Sequence, residues 1–227
     1  MYLVAPRHVR LFLSTILFVF ASYFPLTPGP AMAQSDLILK IKERAKARAE
    51  IIELIKSSED AGLRLAAFEE AVKSDDPELR LSAMGVAFSS NDKRLRKAAL
   101  RHFLNDRPEL RLEFLLPDNA DKAQQLLFDQ HQALRFMKIK VDPRTDIITF
   151  DKYKNQFWSG HLIDDGIDLT FKRPRGSGET LRCILKLRIA SASLMTGQLD
   201  CVIKARRMLK KSGGKNRGVL PVKVSLS

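Results

Sequence analysis

Three consecutive units of sixteen residues constrain this chain more than any other feature. In register they read AGLRLAAFEEAVKSDD from residue 61, PELRLSAMGVAFSSND from 77 and KRLRKAALRHFLNDRP from 93. Leu63, Leu79 and Leu95 share the third position, and Arg64, Arg80 and Arg96 the fourth. Ala67, Ala83 and Ala99 share the seventh, followed by Phe68, Met84 and Leu100. Self-similarity at a fixed period marks a stacked array in which each unit buries its apolar stripe against the next. In the middle unit Asp76 is placed to N-cap a helix. Pro77 then takes the first helical position, where its missing N–H costs nothing. Sixteen residues suit a helix of about eleven plus a short turn, so neighbouring helices run antiparallel.

Residues 36–56 place Leu37, Ile41, Ala45, Ile52 and Ile55 near one face, which predicts an amphipathic helix able to cover one end of the array. A further helix is predicted around 120–132. The stretch Asp75-Asp76-Pro77-Glu78-Leu79-Arg80-Leu81-Ser82-Ala83 resembles the Asp-Pro-x-Leu-Arg-x-x-Ala core of HEAT-type repeats, over roughly residues 60–112. The resemblance implies a structural ladder in which Arg64, Arg80 and Arg96 pair with Asp60, Asp76 and Asp92. Successive helices look alike, so it leaves open which of them line a concave side.

Charge divides the chain. Residues 34–133 hold 17 Lys and Arg against 18 Asp and Glu, whereas 134–227 hold 20 against 8. The pattern changes at the same place, from a 3.6-residue period to apolar–polar alternation punctuated by Gly and Pro. A domain boundary is therefore predicted near 134, between a helical repeat domain (34–133) and a basic antiparallel β domain (134–227). Strands are predicted at 135–141, 146–151, 156–163, 167–172, 181–189, 199–206 and 219–226, with Asp164-Asp165-Gly166 as a tight turn. So many short strands suggest a meander closed into a small barrel or a sandwich. The expected fold class is α+β, the repeat array packing on this β domain.

Cys183 and Cys201 lie on the apolar faces of two of these strands. If the connecting loop centres on Ala192, Cys183 opposes Cys201 and Leu185 opposes Leu199. A slip of one residue would turn one apolar face outward, so this register is the consistent one. Opposed residues of an antiparallel pair stand near disulfide distance, which predicts a structural Cys183–Cys201 bond. On the opposite faces the same register aligns Arg182, Lys186, Arg188, Lys204 and Arg206. Lys172, Arg173 and Arg175 flank the hairpin before it, and Lys210, Lys211, Lys215 and Arg217 follow it.

The first residues read as an address. Arg7, His8 and Arg10 precede an uncharged run from Leu11 to Phe24, then Pro25, Pro28, Pro30 and Ala31-Met32-Ala33. This is the order of a secretory signal, with cleavage expected after Ala33. The run is shorter than the ~20 residues a bilayer span needs. Export to a periplasm or to the exterior would place the two cysteines in an oxidising compartment.

Catalytic and metal motifs are missing. His102, His131 and His161 show no metal-ligand spacing. Arg175-Gly176-Ser177-Gly178-Glu179 reads as a turn. Ser212-Gly213-Gly214-Lys215 lacks the spacing of a phosphate loop. Asp164, Asp165 and Asp168 share a turn that supplies too few oxygens for a cation site. Phe157, Trp158 and Phe171 read as core. No cofactor and no metal is expected. The leading expectation is an exported, non-catalytic binding protein whose basic β domain contacts an anionic envelope component: a glycan, a lipid headgroup or another polyanion. Nucleic acid is not the expected partner in an exported protein. The alternative is an adaptor or inhibitor that binds another secreted protein through the groove of the repeat array.

Overall fold

The computed structural model describes residues 30–227 apart from 133, 152–157, 176–177 and 227. Side chains are described from residue 35 onward, with 173–180 also excepted. Most of the expected signal segment, residues 1–29, lies outside this range, as do Phe157, Gly176 and Ser177. The chain divides into two units, residues 1–43 and 44–227. The first is described only as the start of helix α1 (Pro30–Ser57), where Leu37, Ile38, Leu39 and Ile41 are each more than half exposed. Among the described residues no helix is long and apolar enough to cross a membrane.

The second unit begins with the array. After α1 come α2 (Ala61–Lys73), α3 (Pro77–Ser89) and α4 (Lys93–Asp106). Each of the latter three starts on the aspartate immediately before its sixteen-residue unit. The Asp60 carboxylate accepts from the Gly62 and Leu63 N–H groups, Asp76 from Glu78 and Leu79, and Asp92 from Arg94. Such a cap satisfies donors that a helix start leaves unpaired. The shared alanines Ala83 and Ala99 are fully buried, so the helix backbones can approach closely. The apolar stripe predicted along α1 buries only its later part: Ile55 is buried and Ile51 and Ile52 pack partly, while Leu37 and Ile41 do not.

The arginine ladder exists in a different register from the one the repeat motif implies. Arg64 of α2 donates to Asp92, the cap of α4, at 2.8 Å. Arg48 of α1 bridges Asp76, the cap of α3, and Glu78. Both pairs span 28 residues, so the ladder joins helices two apart and not Arg and Asp of one unit. Arg64 and Arg80 also each donate at 2.5 Å to a carbonyl six residues back, Ser58 and Ser74. The Arg64 guanidinium, helped by backbone N–H groups, holds the Asp92 carboxyl below the usual carboxylate range despite partial burial.

Gly85 sits inside α3, and a Cβ built there meets nothing within 4 Å. Glycine within a helix costs about 1 kcal/mol relative to alanine. Gly85→Ala is therefore expected to raise stability by about that amount, read as a higher urea midpoint at unchanged slope.

Ten strands follow: β1 (Glu109–Arg111), β2 (Glu113–Phe114), β3 (Arg135–Met137), β4 (Lys140–Val141), β5 (Ile147–Thr149), β6 (Trp158–Ile163), β7 (Gly166–Arg175), β8 (Gly178–Ser191), β9 (Leu194–Ile203) and β10 (Arg217–Ser225). Two helices interrupt them, α5 (Lys122–His131) and α6 (Arg206–Lys211). Eight strands form one antiparallel sheet in the order β2-β10-β9-β8-β7-β6-β5-β4, and β1 pairs with β3 alone. The meander is as predicted from β4 to β10, but it does not close: β2 and β4 are free edges, so the fold is neither barrel nor sandwich. The physical reason is coverage. Helices α3, α4 and α5 pack on the sheet, and the buried residues of helices and strands form one core. An apolar sheet face covered by helices has no need to close on itself. The predicted boundary near 134 does not separate helices from strands, because β1 and β2 precede it.

The predicted strand 135–141 is two strands, split at Lys138, whose φ of 48° turns the chain. The predicted strand 199–206 stops at Ile203 and α6 begins at Arg206. Beneath the sheet runs a line of rings: Phe150, Phe136, Trp158, Phe171 and His131, with centroids 4.6, 5.2, 4.9 and 6.1 Å apart in turn. Trp158 is buried, in keeping with a core role.

Candidate anion-contacting surface

The hairpin of β8 and β9 has the expected register. Cys183 pairs with Cys201 and Leu185 with Leu199. The two cysteines form a disulfide with their Cα atoms 4.0 Å apart, and neither residue is exposed. Strict alternation sends Leu181, Cys183, Leu185 and Leu187 into the core and Arg182, Ile184, Lys186 and Arg188 to the uncovered face.

Pairing with β7, β9 and β10 orders that face into rows. Lys172, Arg182, Val202 and Arg217 form one; Thr170, Ile184, Asp200 and Val219 the next; then Asp168, Lys186, Gln198 and Pro221. Arg188 stands in the row nearest the hairpin turn. A groove of about 440 Å³ runs over Ile184, Lys186, Arg188, Gly197, Gln198 and Asp200.

Electrostatics distinguishes the cations. Arg188 donates at 2.7 Å to Asp168 and at 2.9 Å to the Leu187 carbonyl, and stands 3.6 Å from Asp165. The acidic turn singled out in the sequence is thus occupied by this guanidinium. Arg217 grips Asp200 through two hydrogen bonds of 2.9 and 2.5 Å. That contact, with Lys186 adding its field, holds Asp200 below the ordinary carboxylate range against its own desolvation. The face is therefore a basic surface with interleaved acids. Of the five predicted contacts, Arg182, Lys186 and Arg188 share it. Lys204 and Arg206 do not: Lys204 follows the end of β9, and Arg206 is the first residue of α6.

The sequence from 204 to 217 carries seven Lys and Arg and no acid. Lys215 reaches Asp121, in the capping box of α5, at 2.8 Å. Arg206, Arg207, Lys210 and Lys211 are exposed on α6, while Met208 and Leu209 pack against the core. Ser212 is buried; its hydroxyl donates to the carbonyls of Leu209 and Lys215, so the Ser-Gly-Gly-Lys segment serves as a helix stop. Gly213 and Gly214 there have φ of 68° and 85°.

The histidines stay apart. His102 contacts Asp106 at 2.9 Å within α4, His131 is buried with Nδ1 2.9 Å from the Leu127 carbonyl, and His161 lies exposed on β6. Among the described residues no three His, Cys, Asp or Glu side chains gather as a metal site would require. In the array, a groove of about 730 Å³ is lined mainly by α3 and the turn after it, with Lys56, Arg64 and Ala192 at its rim. Comparisons with protein-family models, with curated proteins and with solved structures find no match.

Proposed function

We propose that this chain is an exported, non-catalytic binding protein that contacts an anionic envelope component through the basic part of its sheet domain. The observation that carries the reading is the acid-free basic run 204–217, which leaves the sheet beside the row bearing Lys172, Arg182 and Arg217. Arg182, Lys186, Lys204 and Arg206 are the principal contacts. Arg188 belongs to the same face as Arg182 and Lys186, with Asp168 and Asp165 beside it. A disulfide wholly inside the core fits an oxidising compartment. The groove of the helical array supports the adaptor reading less well: Arg64, on its rim, is engaged by Asp92.

The test is retention on an anionic matrix. The protein is expected to bind heparin-agarose at low ionic strength and to elute with salt, because exposed charge is screened beyond about 10 Å at 0.1 M. Arg182→Glu with Lys186→Glu lowers the net charge by four at exposed positions and is expected to elute at clearly lower salt. Unchanged elution would remove this surface from the contact.

A further inference from the structure

The first turn of helix α6 and the spacing of its cations are locally unfavourable, although Lys210 and Lys211 suit its last turn and Gly213 and Gly214 its end. Its N-cap is Ala205, with no side-chain hydrogen bond to the first turn. Arg206 and Arg207 occupy that first turn, at the positive end of the helix dipole. Arg206 and Lys210, and Arg207 and Lys211, are like-charged pairs one turn apart, which destabilise an isolated helix. At ~100° per residue the four cations fall within an arc of about 140°, with Met208 and Leu209 on the other side. Packing of those two apolar residues against the core is what holds the helix in place. Among the described residues none of the four cations has an ion-pair partner.

Sequences that break local rules without a local gain do so where a surface has another use. The shape of the surface indicates which. Arg206, Arg207, Lys210 and Lys211 are all exposed, and neither groove described above is lined by an α6 residue. Lys122 extends the patch sideways, its Cδ 3.2 Å from where a Cβ on Gly213 would stand. Lys204 extends it toward the sheet. Charge spread in two dimensions on a projecting helix complements a two-dimensional array of negative headgroups.

We propose that α6 docks the protein on an anionic phospholipid surface through Arg206, Arg207, Lys210 and Lys211. This rests on the polyanion reading above and narrows it to one occupant. Binding is peripheral and reversible by salt, because the apolar residues of α6 face the core and cannot insert.

The experiment is co-sedimentation of the purified protein with vesicles of phosphatidylcholine and phosphatidylglycerol at 7:3, against pure phosphatidylcholine. The expected result is salt-sensitive binding to the first only. Arg207→Gln with Lys211→Gln should weaken it about thirtyfold. The same variant relieves one like-charge pair, so it should melt no lower than the parent. A clearly lower melting temperature would mean that the cations serve the fold, and would overturn the proposal. Equal vesicle binding by parent and variant would overturn the role of α6. Retention on heparin-agarose without vesicle binding would overturn the lipid occupant while leaving the polyanion reading intact. Binding to neither probe would overturn both.

Discussion

Replacing Cys183 and Cys201 together with alanine is expected to lower stability by about 3 kcal/mol or somewhat more. The bond closes a loop with a sequence separation of 18. Freeing that loop in the unfolded chain accounts for about 3 kcal/mol on the loop-closure estimate, before any loss of core packing. Both side chains are fully buried between Leu181, Leu185, Leu199 and Ile203, so the alanine pair also leaves a small void. For a chain of this size the melting temperature should fall by roughly 10 °C. Burial predicts a second behaviour: dithiothreitol should leave the native disulfide intact and reduce it once denaturant unfolds the sheet. Urea titrations with and without reductant check both statements. Equal midpoints for parent and variant would mean that the bond contributes no constraint, and rapid reduction of native protein would mean that the hairpin opens without global unfolding.

The disulfide was legible because two strands with matching alternation have only one register that keeps both apolar faces inward. The helix starts were legible for a similarly local reason: Asp76 before Pro77 states a cap and a first turn in two residues. What escaped the sequence depends on longer-range packing or on segments too short to show a period. Strands β1 and β2 have three and two residues, too few to show an alternation, and lie inside the stretch expected to be a helical domain. Whether the meander closes depends on what covers its inner face, which is decided by α3, α4 and α5 and not by any strand. The ladder offset of 28 residues needed the stacking of α2 on α4; the repeat motif names the partners' types but not their order. The Ser-x-Asp triplets did hold a usable signal: Ser74 and Ser90 accept the N–H groups of Asp76 and Asp92 at 3.1 and 3.0 Å, and the third unit lacks the triplet where the array stops. Helix α6 spans six residues, below the length at which periodicity can be read, although cations at 206, 207, 210 and 211 are one helical face once a helix is assumed. Alternation alone continues β9 through Lys204 and Arg206, whereas the chain leaves the ribbon after Ile203 to form α6.

Gly197→Ala is the single substitution expected to damage the sheet most. A Cβ at Gly197 would stand 1.8 Å from the Lys186 carbonyl oxygen, and one at Gly166 would stand 1.9 Å from the Leu187 oxygen. The two glycines belong to β9 and β7, so β8 is gripped from both sides over consecutive carbonyls, with no room for a methyl group on either. The obstruction is backbone, which cannot rotate away as a side chain could. Relief requires β8 and β9 to separate within their long antiparallel pairing, at the Leu187–Gly197 pair. Overpacking a well-packed site costs about 1–3 kcal/mol and occasionally more; a clash with main chain belongs at the upper end, about 3 kcal/mol. Gly214 provides the contrast. It has open space around its Cβ position and a φ of 85°, so alanine there costs backbone strain alone, about 1 kcal/mol. Urea midpoints of the two variants should therefore differ in that order. The site consequence follows from position: Lys186 and Arg188 flank the Gly197 contact on the uncovered face, so a displaced β8 moves both along the groove they line with Gln198 and Asp200. Gly197→Ala should accordingly lower the salt at which the folded protein leaves an anionic matrix, whereas Gly214→Ala, beyond the end of α6, should leave the sheet face as it is. If Gly197→Ala unfolds at the parent's midpoint, the close approach of β9 to β8 is not present in solution, and the rows of cations drawn from that pairing lose their basis.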